Sequence, residues 1–234
     1  MNTQNLAKTF WEQGYLVLED FFGDGLMNEF DSLICEHFGK DPEFSHTNEF
    51  LSKSQTEVIP WFPQQEAPSS FDKLDGHEGL RSLTEAILGA GWRSDYCMVM
   101  FSKKGTAGQA WHQDCPPEDP GQFNLNRLVY SSNISDETGG QTVIVPGSFK
   151  RGMVPSGDPT GHFEDEVVLR PRKGTLVILH GHTWHRVLPI TGDYRYSTNY
   201  RAAPASAQEG ITDICVYRNM RYQFSTEQVI EQRM

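Results

Sequence analysis

"GTLVILHGHTWHRVLPITGDYRYSTNYRA", residues 174–202, decides how the rest of the chain is read. "GTLVILH", "HRVLPI" and "YRYSTNYRA" are short runs rich in β-branched, leucine and tyrosine residues, and turn signals such as "TGD" separate them. The same texture extends backwards through "EVVLRP", "QTVIVP", "NRLVYSSNI" and "YCMVMF", and forwards to "DICVY". Many short strands broken by Gly, Pro and Asp predict an antiparallel sandwich or jelly roll.

Upstream of about residue 95 the period changes. Leu6 and Phe10, with Trp11 beside them, fall on one side of a helix capped by Thr3 or Asn5 and closed at Gly14. "YLVLEDF" reads as a strand. Leu26, Met27, Phe30, Leu33, Ile34 and Phe38 recur at helical spacing behind Asp24 as the cap, with Gly39 as the stop, and "GLRSLTEAILGAG" is a third helix. Between them, residues 41–75 show no periodicity, the texture of a lid, a binding loop or disorder. Phe50, Trp61, Phe62 and Phe71 there either line a pocket or anchor the segment to the core.

The expected fold is therefore mainly β with flanking α-helices, in one domain over residues 1–234. A helical part of about 1–95 packs on a jelly-roll core of about 96–205, followed by an extension of about 206–234. No repeat, low-complexity tract or linker marks a boundary.

Composition narrows the partners. The formal net charge is −11 and no basic cluster is present, which argues against nucleic acid and for a small-molecule substrate. The N-terminal stretch carries acidic residues and no long apolar run, so neither a signal peptide nor a membrane span is expected. Cys35, Cys97, Cys115 and Cys215 are scattered without a CxxC pair, as in a cytoplasmic protein with reduced thiols. A monomer or a homodimer fits these properties.

Chemistry enters with "WHQD", residues 111–114. In an extended strand, residues i and i+2 share a face, so His112 and Asp114 can aim an imidazole and a carboxylate at one point while Gln113 faces away. His180, His182 and His185 are candidates for a third ligand. A face of two histidines and one carboxylate leaves three coordination positions open, which suits ferrous iron; Mn²⁺ or Zn²⁺ can occupy such a face without the same oxygen chemistry. Arg195 follows His185 by ten residues and shares a strand face with Ser197, an arrangement able to hold a carboxylate.

Taken together, "WHQD", "GGQTVIVPGSFKRG", "GTLVILHGHTWH" and "YRYSTNYR" resemble the phytanoyl-CoA hydroxylase-like branch of the Fe(II)/2-oxoglutarate-dependent oxygenases, from "FWEQGYLVLEDFF" to about Arg201. The resemblance implies a double-stranded β-helix (a cupin-like jelly roll), Fe(II), 2-oxoglutarate as cosubstrate, O2, and hydroxylation of a small molecule. It implies His112, Asp114 and His185 as metal ligands, with His182 the runner-up for the third and His180 in the core or behind the ligands. Arg195 and Ser197 match the element that grips the distal carboxylate of 2-oxoglutarate, and Gln109 and Thr142 match further cosubstrate contacts. Asp114 stands where halogenating members carry a small residue, so oxidation is expected over halogenation. "PGSF" departs at Phe149 from the family's usual PGSH, away from the metal ligands. For the substrate, Lys103, Lys104 and Arg127 are candidate contacts to an anion and Glu118 and Asp119 to a cation.

Overall fold

Alternation with a period of two, carried by successive strands, builds two opposed antiparallel sheets. The computed structural model describes residues 2–39, 48, 51–52, 56–65, 69–224 and 229–230. One sheet contains β1 (Tyr15–Leu18), β2 (Ile59–Trp61), β3 (Arg93–Lys103), β5 (Leu125–Val129), β8 (Leu176–His180) and β10 (Tyr194–Ala203), in the order β1-β8-β5-β10-β3-β2. The other contains β4 (Gln109–Gln113), β6 (Thr142–Ile144), β7 (Val167–Leu169), β9 (His185–Val187), β11 (Ile214–Tyr217), β12 (Met220–Phe224) and β13 (Val229–Ile230), in the order β13-β12-β11-β4-β9-β6-β7. This is the mainly β, jelly-roll architecture expected from the sequence. β2, β4, β12 and β13 join the strands read from it.

The two faces of the first sheet do different work. Cys97, Val99 and Phe101 of β3, Leu176 and Ile178 of β8, and Tyr196 and Tyr200 of β10 point outward. There they meet α1 (Thr3–Gln13), α2 (Asp24–Phe38) and α3 (Glu78–Leu88), whose Phe10, Met27, Phe30, Ile34, Leu80, Leu83 and Ile87 are all buried in the same cluster. Burying each such side chain contributes roughly 1.5–3 kcal/mol. Met98, Met100, Leu128, Val177 and Leu179 point the other way, towards Ile144, Cys215 and Tyr217 of the second sheet. The two sheets therefore enclose a second core, and the functional groups lie within it.

The helix starts differ in detail from the sequence expectation. Asn2, ahead of both candidates, caps α1 by accepting from the Asn5 N–H at 3.2 Å, and Gly14 closes it in a left-handed conformation. Gly23 occupies the cap position of α2, which puts Asp24 in the first turn, where its charge complements the helix dipole. His77 caps α3, its Nδ1 accepting from the Leu80 N–H at 3.2 Å.

The aromatic residues before α3 anchor the chain. Trp61 stacks on His37 with centroids 3.9 Å apart, Phe71 stacks on Phe30 at 4.4 Å, and Phe62 packs edge-on to Tyr96. Phe50 lies outside the described residues. The four cysteines are free, and no helix among the described residues is long and apolar enough to cross a membrane.

Candidate metal centre and cosubstrate clamp

β4 and β9 are neighbours in register, with His112 opposite His185, so the cross-strand pair sets the two imidazoles side by side with ring centroids 4.1 Å apart. Asp114 follows directly after β4. Its Oδ2 lies 3.3 Å from His185 Nε2 and its Oδ1 3.7 Å from His112 Nε2. One ligand atom from each of the three falls within 4.8 Å of the others, and all three residues are buried. Each imidazole donates its Nδ1–H to a backbone carbonyl two residues back: His112 to Ala110 at 2.8 Å and His185 to Thr183 at 2.9 Å. That bond fixes the tautomer and leaves the Nε2 lone pair directed at the shared point. Burial, reinforced by the neighbouring His185, pulls the His112 pKa down to about 3, so the ring stays neutral and able to ligate.

The other two histidines are elsewhere. His182 Nε2 lies 3.0 Å from the Gln122 carbonyl, and His180 stacks on Phe123 at 4.4 Å while its Nδ1 accepts from the His182 N–H. Gln113 points away from the triad as expected and has a structural task. Its amide donates to the His182 and Gly152 carbonyls, and its Oε1 accepts from the Val154 N–H. Phe149 lies against His180, at 4.7 Å.

A residue that sequence reasoning missed completes the centre. Arg201, 2 % exposed, donates to Asp114 Oδ1 at 2.9 Å and to the Asp114 backbone carbonyl at 3.3 Å. Burial pushes the Asp114 carboxyl up, but the Arg201 guanidinium and then His185 outweigh it and hold the group well below the usual carboxylate range. With Oδ1 occupied by Arg201, Oδ2 is the oxygen nearer His185. Arg201 is six residues after Arg195, an even offset that places both on one face of β10. That offset was the available signal; the partner, 87 residues away in sequence, was not.

Arg195 is 3 % exposed and makes no ion pair among the described residues. It donates to Ser197 Oγ at 2.9 Å, to the Gly140 carbonyl at 3.1 Å and, at 3.4 Å, to Thr142 Oγ1. Tyr130 Oη is 3.1 Å from the same Thr142 hydroxyl. Burial pulls the Arg195 pKa below its ordinary value. A buried guanidinium held by neutral groups is a ready site for an anion. Gly140 makes the approach possible. It has φ +67°, and a Cβ there would sit 2.6 Å from Arg195 Cγ.

One cavity of about 80 Å³ connects these groups, several times the ~10–15 Å³ that a single water needs. Gln109, His112, Asp114, Thr142, His185, Arg195 and Ser197 all line it. The candidate substrate charges do not. Arg127 points to the helical side of the first sheet, donating to the Tyr200 carbonyl at 2.9 Å, and Lys104 pairs with Asp193 in solvent. Lys103 is also absent from the lining. Glu118 pairs with Arg221, and Asp119 accepts from the Gly121 N–H. Strand alternation turns Lys103 of β3 and Arg127 of β5 away from the inner face, and Lys104, Glu118 and Asp119 lie in connections between strands. Thr56, Val58 and Pro60 line the cavity from the unpatterned segment, and Cys215, Tyr217 and Tyr222 from the C-terminal part.

Comparison with known proteins bears on the family and the fold. The family model for phytanoyl-CoA dioxygenase (PhyH) matches residues 10–195. No curated protein matches the chain. Among solved structures, the non-heme alpha ketoglutarate dependent epimerase SnoN from nogalamycin biosynthesis superposes with a TM-score of 0.68 at 18% identity, covering 92% of this chain and 85% of that one. HygX from Streptomyces hygroscopicus, solved with nickel and 2-oxoglutarate bound, superposes with a TM-score of 0.66 at 16% identity, covering 88% of each chain. At these identities the likeness establishes a shared fold.

Proposed function

Because the chain belongs to the phytanoyl-CoA dioxygenase (PhyH) family, we propose that it is a non-haem Fe(II)- and 2-oxoglutarate-dependent oxygenase. It hydroxylates a small molecule while 2-oxoglutarate is decarboxylated to succinate and CO2. The observation that carries this reading is the pairing of a buried His112–Asp114–His185 face with a buried, carboxylate-free Arg195 on the wall of the same cavity. The donor set fits iron: two imidazole Nε2 atoms on rings pinned through Nδ1 and one carboxylate oxygen, with room left for exchangeable ligands. SnoN has also been solved in complex with Fe3+ and alpha ketoglutarate.

His112, Asp114 and His185 would hold the metal. When bound, iron would supply the redox chemistry with O2 that no side chain can perform. Arg195 binds the distal carboxylate of 2-oxoglutarate, oriented by Ser197 and Thr142, while Gln109 presents its amide from β4. Met100, Leu128 and Val187 enclose the same space and exclude water from it. A non-catalytic or differently metallated jelly-roll protein that binds a small ligand is the competing reading. It has no use for an unpaired buried arginine beside a metal-binding face.

The test is anaerobic titration of the iron-loaded protein with 2-oxoglutarate, followed by succinate measurement with a substrate panel in air. Saturable binding and substrate-dependent succinate are expected; failure to bind 2-oxoglutarate rejects the reading. His185→Ala should lose iron and His182→Ala should keep most of it, and equal retention would refute the ligand assignment. A stereoinverted product, the reaction class for which SnoN is described, would keep the cofactors and replace hydroxylation.

A further inference from the structure

The second sheet divides the cavity about the candidate metal centre. β4 and β9 carry the three ligand residues at or just beyond their ends; β6 lies beyond β9, and β11 and β12 lie beyond β4 on the opposite side. Thr142 of β6 touches Arg195, so the β6 side is the cosubstrate side. The β11 side lies across the centre from it. Its walls are Tyr217, stacked on His112 at 5.0 Å, Tyr222 and Cys215, with Thr56 and Val58 laid across them and Met98 opposite. Thr56 ties that cover down by donating to Tyr217 Oη at 3.2 Å.

None of these six side chains carries a fixed charge. Among the described residues, the formal charges on the whole cavity wall are Asp114, Arg195 and Arg201. Asp114 and Arg201 neutralise each other, and Arg195 is assigned to the cosubstrate. A charged substrate group entering from the β11 side would lose water and meet no side-chain counter-ion among the described residues, a loss that an uncharged group does not suffer. Tyrosine and methionine walls instead offer polarisable, adaptable contact to flat apolar surface.

We propose that the part of the substrate presented to the metal is uncharged and predominantly apolar, an aromatic or alicyclic ring bearing at most neutral oxygen groups, received between Met98, Val58, Tyr217 and Tyr222. The inference rests on the oxygenase reading for the identity of the Arg195 side.

Three probes of one shape test it: 2-naphthylmethanol, 2-naphthylmethylammonium and 2-naphthylmethanesulfonate. Each is titrated by calorimetry into the anaerobic protein loaded with Fe(II) and 2-oxoglutarate. The alcohol is expected to bind at least about tenfold more tightly than either ion. The ammonium arm measures the competing attraction of a cation for the two tyrosine rings. In Val58→Asp, with the fold checked by its melting curve, the preference should move towards the ammonium. Binding of either ion as tight as that of the alcohol overturns the proposal, and so does failure of all three to bind. Loss of 2-oxoglutarate binding, measured first on the same sample, would instead reject the oxygenase reading.

Discussion

Asp114 faces two partners with opposite demands. Towards His112 and His185 it offers a ligand oxygen; towards Arg201 it is a carboxylate at hydrogen-bond distance from a guanidinium with almost no exposure. Read from "WHQD" alone, its removal would cost the metal and spare the fold. The structure changes that expectation, because Asp114→Ala breaks a buried ion pair by removing one partner, which typically costs about 3–5 kcal/mol. Urea unfolding of the metal-free variant should show that loss, and a midpoint equal to wild type would refute it. Arg201→Leu in the background of Asp114→Ala should recover much of the stability, since both charges are then gone. Arg201→Leu alone should weaken metal binding about 10–100-fold, as loss of a partner behind a ligand does. Unchanged metal affinity in that variant would make Arg201 a purely structural residue.

The pieces of chain that carry the site are short, and their register matters more than their length. β4 and β9 pair at Gln109–Val187 and His112–His185 with an irregularity between. β6 pairs Thr142 with Val187 on the far side. The turn that enters β6 has little tolerance. Gly140 adopts φ +67° directly against the aliphatic stem of Arg195, so a methyl group there is both strained and in the way. Gly140→Ala is expected to raise the Kd for 2-oxoglutarate by about tenfold or more, the equivalent of roughly 1.4 kcal/mol. Iron binding, which depends on β4 and β9, should not change. Parallel titrations of the two ligands check this, and a joint loss of both would point to general misfolding of the sheet. The glycine pair at 139–140 was visible in "GGQTVIVPGS", whereas the arginine that it accommodates lies 55 residues further on.

For the whole molecule, burial of neutral histidines sets the response to acid. Burial holds the pKa of His180 well below the ordinary value and that of His182 below it, and brings His112 to about 3. In the unfolded chain these rings protonate near their ordinary pKa of about 6.5. Below that pH the unfolded state binds more protons than the native state, so stability rises with pH and falls as pH drops from about 6.5 towards 3. Asp114, with its pKa lowered, begins to lose its contribution only as pH falls through the ordinary carboxylate pKa of about 3.9, below the interval between pH 7.5 and 5.5. The denaturation midpoint of the metal-free protein should therefore be lower at pH 5.5 than at pH 7.5, and equal midpoints would contradict the burial account. Strand periodicity, helix stripes and the offset of two between His112 and Asp114 are local properties of the backbone, so the jelly roll, α1, α2, α3 and the His112–Asp114 pair could be read from residue order, with His185 and the Arg195 clamp implied by the family resemblance. The placement of His185 beside His112 and of His182 against the Gln122 carbonyl, the Arg201–Asp114 pair, the separation of Arg127 from the cavity and the uncharged β11 wall depend on which strands become neighbours. Register between distant segments arises from packing two sheets around one core, and no local pattern encodes it.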